Sequence, residues 1–337
     1  MRVLITGAAG MLGGKLAAAV AAAGSLGGRE VSGLVLADVV APAVPGGFSG
    51  TVETIVGDLA TPAAAARLAG ARADLVYHLA AIVSGEAEAD LDKGYRINLD
   101  GTRLLFDAIR AEGARTAYRP RVVFASSLAV FGAPFPPVIP DDFQPTPLTS
   151  YGTQKAMGEL LLADYSRRGV FDGIGLRLPT IAIRPGRPNR AASGFFSGVL
   201  REPLAGLPAA LPVGEEVRHW FASPRAAVGY FLHAATLDLG LLGSRPNLMM
   251  PGLSATVGDA IAALRRVAGP EAVALIRREP DEMVARIVAG WPSTFATDRA
   301  TALGFVAERS FDEIIRVHIE DELGGVLPPR PAAGERA

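Results

Sequence analysis

The sequence predicts an α/β fold, and three observations lead there. Short runs rich in β-branched residues alternate with Ala- and Leu-rich helical stretches through the first half of the chain. The runs are almost continuously apolar rather than alternating, as strands covered on both faces are. A G-x-x-G-x-x-G pattern, Gly7, Gly10 and Gly13, joins the first run to the first helical stretch. Strand and helix in alternation imply a parallel sheet with right-handed crossovers. The predicted architecture is a Rossmann-type doubly wound parallel sheet followed by a smaller C-terminal region.

The strand candidates are RVLIT (2–6), SGLVLAD (32–38), VETIVGD (52–58), LVYHLAA (75–81) and RVVFASS (121–127). Helical patterns occupy 12–23, 62–69, 94–113 and 152–168. DGIGLRLPT, from 172, is a further strand, after which Pro and Gly become frequent. The first domain is therefore drawn over 1–175 and the smaller, substrate-binding region over 176–325, with room for it to return strands or helices to the first domain. NLMMPG (247–252) is one candidate for such a strand, and the helix after it is capped near Thr256. The segment 326–337, VLPPRPAAGERA, has no periodicity and is expected to be disordered.

Composition excludes several classes of function. Half of the 337 residues are hydrophobic and the net charge is -1, so no nucleic-acid or anionic-membrane partner is indicated. The chain has no cysteine, hence no disulfide, thiol nucleophile or Cys-built metal site. Its four histidines, His78, His219, His233 and His318, show no metal-ligand spacing. No apolar run approaches the ~20 residues of a membrane span. The expectation is a cytoplasmic protein without a resident metal.

The glycine pattern lies where a strand ends and a helix begins. Glycine there lets the backbone turn tightly and approach a pyrophosphate, and the helix N-terminus offers N–H donors and a positive dipole end. Asp38 closes the second strand, where a carboxylate accepts hydrogen bonds from ribose hydroxyls and repels a 2′-phosphate. No Arg follows it closely, which favours NAD over NADP. Asp58 closes the third strand at the same rim, placed to meet an adenine.

At the other end of the site, Ser126 and Ser127 finish the fifth strand at the carboxyl edge of the sheet, where ligands bind in open α/β folds. Tyr151 opens the next helix, and Lys155 follows on the same face. Of the 33 basic residues only Lys15, Lys93 and Lys155 are lysines. An ammonium near the phenol is expected to lower its pKa from ~10, making a usable base near neutral pH.

TGxxGxxG at Thr6 to Gly13, the acidic Asp38, HLAA at His78 to Ala81, Asn98, Ser127 and the Tyr151–Lys155 pair together resemble the extended short-chain dehydrogenase/reductase family. The resemblance covers about the first 185 residues. It implies NAD as cofactor, held by Gly7, Gly10, Met11 and Leu12 in the loop and by Asp38, Asp58 and Leu59 at the rim. Leu79, Ala80 and Ala81 after strand four, then Asn98, Ser127, Tyr151, Lys155 and Pro179, complete that set. It also implies Tyr151 as proton acceptor, Lys155 as ribose anchor, Ser127 as polariser of the reacting oxygen, and a homodimer through 94–113 and 151–168. For His78 a hydrogen-bonded core role is expected.

Substrate is harder to read. Nucleotide-sugar enzymes of the family usually carry an Asn where LRLPTIAIRPG has Thr180. The segments LAAIVSGEAEADLDKGYRINLDGT, SSLAVFG, RPGRPNRAASGFFSGVLREPLAG and RHWFASPRAAV look like the D-erythronate dehydrogenase subgroup. That implies NAD-dependent oxidation of the C2 hydroxyl of a small sugar acid, D-erythronate to 2-oxo-tetronate. Substrate contacts are expected from Ser84, Ser127, Tyr151, Thr180, Asn189, Arg190 and Arg218. The alternatives are a nucleotide-sugar 4-epimerase or dehydratase, and a non-catalytic NAD sensor.

Overall fold

Alternate residues of the first strand, β1 (Arg2–Thr6), show why its sequence is apolar throughout. Val3 and Ile5 are buried in one core and Leu4 in another, on opposite faces of the same sheet. The computed structural model describes residues 1–186 and 193–328. Five more strands of the main sheet follow: β2 (Gly33–Asp38), β3 (Thr51–Val56), β4 (Leu75–His78), β5 (Arg121–Ser127) and β6 (Asp172–Leu178). Later come β7 (Thr180–Ile181), β8 (Arg218–Ala222), β9 (Asn247–Met249) and β10 (Leu253–Thr256). The longer helices are α1 (Met11–Ala23), α2 (Pro62–Gly70), α3 (Gly101–Arg115), α4 (Ser150–Arg167), α5 (Gly194–Leu204), α6 (Pro224–Thr236), α7 (Val257–Ala268) and α8 (Phe311–Glu322).

The main sheet has seven parallel strands in the order β9-β6-β5-β4-β1-β2-β3. Strand order reverses at β1, which lies between β2 and β4, so a crevice opens beyond its carboxyl end. One face is filled by Leu16 and Val20 of α1 with Tyr230 and Phe231 of α6. The other takes Leu68 of α2, Phe106 and Ile109 of α3, and Leu162 of α4. Strand β9 and helix α6 therefore lie against the first-half sheet although the sequence places them beyond residue 176.

A second, three-stranded sheet carries the C-terminal site elements, in the order β10-β8-β7. It adjoins a separate core built from Phe196, Leu200, Phe221, Leu264, Ile314 and Ile315. Helix α7 begins at Thr256, whose side chain accepts from Asp259 N while Asp259 accepts from Thr256 N, a reciprocal capping box. The helical stretch expected over 94–113 is interrupted: residues Tyr95–Asp100 form a π-turn that runs directly into α3. Most of the C-terminal segment drawn from 326 lies outside the described residues.

Candidate active site

The loop after β1 is shaped by backbone sterics. Gly7 has φ +72°, and a Cβ there would stand 2.8 Å from Ala80 N. A Cβ on Gly13 would stand 2.0 Å from Gly7 O, so the first turn of α1 can close over the loop only without a side chain at 13. Met11 and Leu12 open α1 and are partly buried against the core. Asp38, at the end of β2, receives Ala9 N on Oδ2 at 2.9 Å and Val39 N on Oδ1 at 2.7 Å. These bonds tie the acidic rim to the loop and leave the carboxylate partly exposed. A cradle of this shape, with a helix N-terminus and a fixed carboxylate at the adjacent strand end, fits a dinucleotide.

Asp58 stands exposed two residues past β3. Its carboxylate accepts from Ala60 N at 2.9 Å and pairs with Arg96 at 2.5 Å, and these partners hold its pKa below the ordinary value. Leu59 packs beside it against the α2–α3 core.

Behind the loop runs a buried chain of hydrogen bonds whose direction can be worked out. Thr102 Oγ1 donates to the Asn98 carbonyl at 2.7 Å, so its lone pair takes the proton of His78 Nε2 at 2.9 Å. His78 Nδ1 then accepts from Thr6 Oγ1 at 2.7 Å, and Thr6 in turn receives Ala80 N at 3.3 Å. Burial pushes the His78 pKa down to about 3, so this imidazole stays neutral. The expected core role of His78 holds, and it has a purpose: the chain links the strand that ends in the glycine loop to the π-turn bearing Asn98. Leu79 N and Ala80 N both bond to Thr6, and Ala81 follows at the same edge.

Asn98 is itself fully committed. Its Oδ1 accepts from Ile82 N at 2.8 Å, and its Nδ2 donates to Ile82 O at 3.3 Å and to Gln154 Oε1 at 2.8 Å. It thus clips the segment after β4, where Ser84 begins a short helix, to the catalytic-face helix α4.

Helix α4 starts at Thr149, whose hydroxyl accepts from Gly152 N at 3.1 Å, and this cap sets Tyr151 in the first turn. Ser127 Oγ accepts from Ala129 N at 3.1 Å, so its own proton is available to the neighbouring Tyr151 phenol. One turn along, Lys155 is buried, donates to Ala125 O at 2.9 Å, and lies 5.7 Å from the Tyr151 ring centroid. Burial lowers the ammonium's pKa to about 8, with Glu159 pulling the other way.

The phenol does not follow the sequence expectation. Burial pushes Tyr151 up to about 12, and the bond from Ser127 only partly opposes this. Desolvation of the phenolate outweighs the ammonium one helical turn away.

Beneath Lys155 lies a polar cluster that the motif spacing does not reveal. Glu159 accepts from Ser126 Oγ at 2.5 Å and from the Arg177 guanidinium on both oxygens, at 2.7 to 3.1 Å. Arg177 also stacks over Phe131, 4.9 Å from its centroid. Ser126, expected at the ligand edge with Ser127, instead turns inward.

The C-terminal contacts divide. Thr180 follows Pro179 past the end of β6, and Leu178 pairs with Ser127, so Thr180 stands at the same sheet edge as the phenol. Its Oγ1 lies 2.7 Å from His219 Nε2. His219, which sequence reasoning passed over in favour of its neighbour, is buried beside Thr180. Arg218 projects from the opposite face of β8, exposed, donating to Ser254 O at 3.3 Å. Asn189 and Arg190 lie outside the described residues.

The model of the NAD dependent epimerase/dehydratase family matches residues 3–235. A D-erythronate dehydrogenase from Cupriavidus necator is 48% identical over 95% of this chain and 98% of its own length. One from Haemophilus influenzae is 42% identical over 96% and 100%. A crystal structure described as a nucleoside-diphosphate-sugar epimerase from Agrobacterium tumefaciens is 63% identical, with TM-score 0.95 over 97% of this chain and 96% of that one. From the glycine loop to the Tyr–Lys helix and on through its length, the chain belongs to the NAD dependent epimerase/dehydratase family.

Proposed function

We propose that the protein oxidises the C2 hydroxyl of D-erythronate to the 2-oxo acid with NAD+ as acceptor. The observation that carries the chemistry is the meeting of Ser127 and Tyr151 at the carboxyl edge of β5, with the Lys155 ammonium 5.7 Å from the centre of the phenol ring. The substrate rests on similarity to two D-erythronate dehydrogenases along nearly their whole length.

Gly7, Gly10, Met11 and Leu12 would hold the pyrophosphate, Asp38 the adenosine ribose, and Lys155 the nicotinamide ribose. When bound, NAD+ supplies the hydride acceptor and a positive ring beside the phenol. Tyr151 removes the C2 hydroxyl proton. Ser127 donates to the same oxygen, stabilising charge as the C–H bond breaks. Lys155 contributes positive charge at the phenol's base and, being one of few lysines, the compact ammonium that a guanidinium would not replace. The buried Glu159, bridging Ser126 and Arg177, fixes the strand and helix that carry Ser127 and Lys155.

Nucleotide-sugar epimerisation is the second reading, favoured by the description of the 63%-identical Agrobacterium protein. Against it stands Thr180, in place of the Asn that such enzymes usually have. Purified protein with NAD+ is to be assayed for NADH formation on D-erythronate, L-threonate, longer aldonates, uronates and UDP-sugars. Selective reduction of NAD+ on D-erythronate is expected. Silence on every acid, with interconversion of a UDP-sugar and no net NADH, would reverse the order of the two readings.

A further inference from the structure

His219 is 1% exposed and has its ring nearly parallel to that of Phe196, centroids 5.0 Å apart at 5°, with Phe221 and Trp291 also against it. It meets two polar partners: Thr180 Oγ1 on Nε2, and the backbone carbonyl of Pro292. A carbonyl only accepts, so the ring nitrogen facing Pro292 carries the proton. Burial in this aromatic box holds the imidazole neutral at physiological pH. A neutral ring with one nitrogen protonated presents a lone pair on the other, which is Nε2. The hydroxyl proton of Thr180 is therefore committed to His219.

That commitment decides what Thr180 can do for a ligand. Thr180 is only half-buried, at the sheet edge shared with Ser127, and what Oγ1 offers there is lone pairs. A threonine with a free rotor can donate to a carboxylate or accept from a hydroxyl. This one can only accept. A carboxylate, phosphate or keto oxygen placed against it would meet lone pair with lone pair, and a hydroxyl would be welcomed.

Resting on the sugar-acid reading of the same site, we infer that Thr180 receives a hydrogen bond from a non-reacting hydroxyl of the substrate. His219 is the positioning residue that makes Thr180 an acceptor. The substrate's carboxylate is held elsewhere. The pair selects for a polyhydroxy chain beyond C2 and against a simple 2-hydroxy acid.

The test uses the full chain with NAD+ and two ligands, D-erythronate and a C2-matched 2-hydroxybutyrate that lacks both distal hydroxyls. The second is measured as a substrate, or as a competitive inhibitor if it is not turned over. Thr180→Val and His219→Phe should lower kcat/KM for D-erythronate on the order of tenfold, chiefly through KM. The same variants should leave the constant for 2-hydroxybutyrate nearly unchanged, so the ratio between the ligands collapses. Thr180→Ser keeps the hydroxyl, and His219→Gln keeps an acceptor in reach of it; both should restore most of the discrimination. The double variant should be no worse than Thr180→Val alone, because both remove one interaction.

Equal losses on both ligands in Thr180→Val, or full discrimination in both Thr180→Val and His219→Phe, would overturn the inference. If His219→Phe fails to fold, the Thr180→Val and His219→Gln results decide alone. Wild-type protein inactive on D-erythronate and every other acid would overturn the sugar-acid reading itself. An active wild type with an unchanged ligand ratio in Thr180→Val would overturn this inference and leave that reading standing.

Discussion

The two ends of the site are built from different materials. The cofactor end is mostly backbone: a loop that closes because Gly7 and Gly13 have no side chain, amides of Ala9 and Val39 on Asp38, and amides of Leu79 and Ala80 on the carbonyl and hydroxyl of Thr6. The substrate end is side chain on side chain: Ser127 beside Tyr151, Thr180 with His219. A backbone site fits a ligand part shared by a whole family. A side-chain site can be rewritten one residue at a time, which is how one fold serves many substrates.

The comparison can be broken by substitutions at either end. The largest effect is expected from Tyr151→Phe, which should lower turnover by ~10²–10⁴-fold. NAD+ affinity, measured by titration calorimetry, should change little, because the substitution removes only the phenol oxygen and leaves the glycine loop and Asp38 as they are. A variant that lost both in proportion would show that the two ends are not separable.

Lys155→Met tests the energetic cost of the chemical end. Lys155 titrates at about 8 in the folded chain against an ordinary 10.5, so folding disfavours its charged form. That gap corresponds to about 3 kcal/mol, with an offset of ~1 kcal/mol from the lost bond to Ala125 O. The penalty is complete below pH 8 and disappears as pH rises towards 10.5, where both folded and unfolded lysines are neutral. The methionine variant should therefore be inactive yet more stable by ~2 kcal/mol in urea at pH 7. Its advantage should shrink through that alkaline window. A variant less stable than wild type at pH 7 would mean the ammonium is a structural asset.

The smallest effect is expected at the rim. Asp38→Ala removes a negative charge facing a 2′-phosphate and also releases Ala9 N, so the preference for NAD over NADP should narrow by ~10-fold in kcat/KM. Unchanged discrimination would take Asp38 out of the ribose contact.

How much could be read from the chain follows the same division. The strands of the first half, the glycine loop and the cap at Thr256 came from hydrophobic runs, glycine spacing and local capping chemistry, all signals confined to a few neighbouring residues. The π-turn at Tyr95–Asp100 was hidden because no residue type in YRINLD marks a switch from i→i+4 to i→i+5 bonding. The His219–Thr180 contact spans 39 residues and joins two strands whose pairing no local pattern encodes. Alternation along RHWFA would have placed residues 218 and 219 on opposite faces, but it does not say which face adjoins the site. The direction of the Tyr151 shift depends on how deeply the phenol is buried, and spacing from Lys155 carries no information about depth. Glu159, four residues after Lys155, was visible as a helix-face neighbour, yet its bond to Arg177 exists only once α4 has packed beside β6.

The measurement that bears most directly on the central claim is the fate of the C2 hydrogen. D-Erythronate carrying deuterium at C2 is incubated with the protein and NAD+, and both products are examined by mass spectrometry. The account predicts deuterium in the reduced nicotinamide and a 2-oxo acid that has lost it. Deuterium retained in the sugar acid while NADH forms, or released to water, would contradict hydride transfer from C2 and with it the assignment of Tyr151 to the C2 hydroxyl.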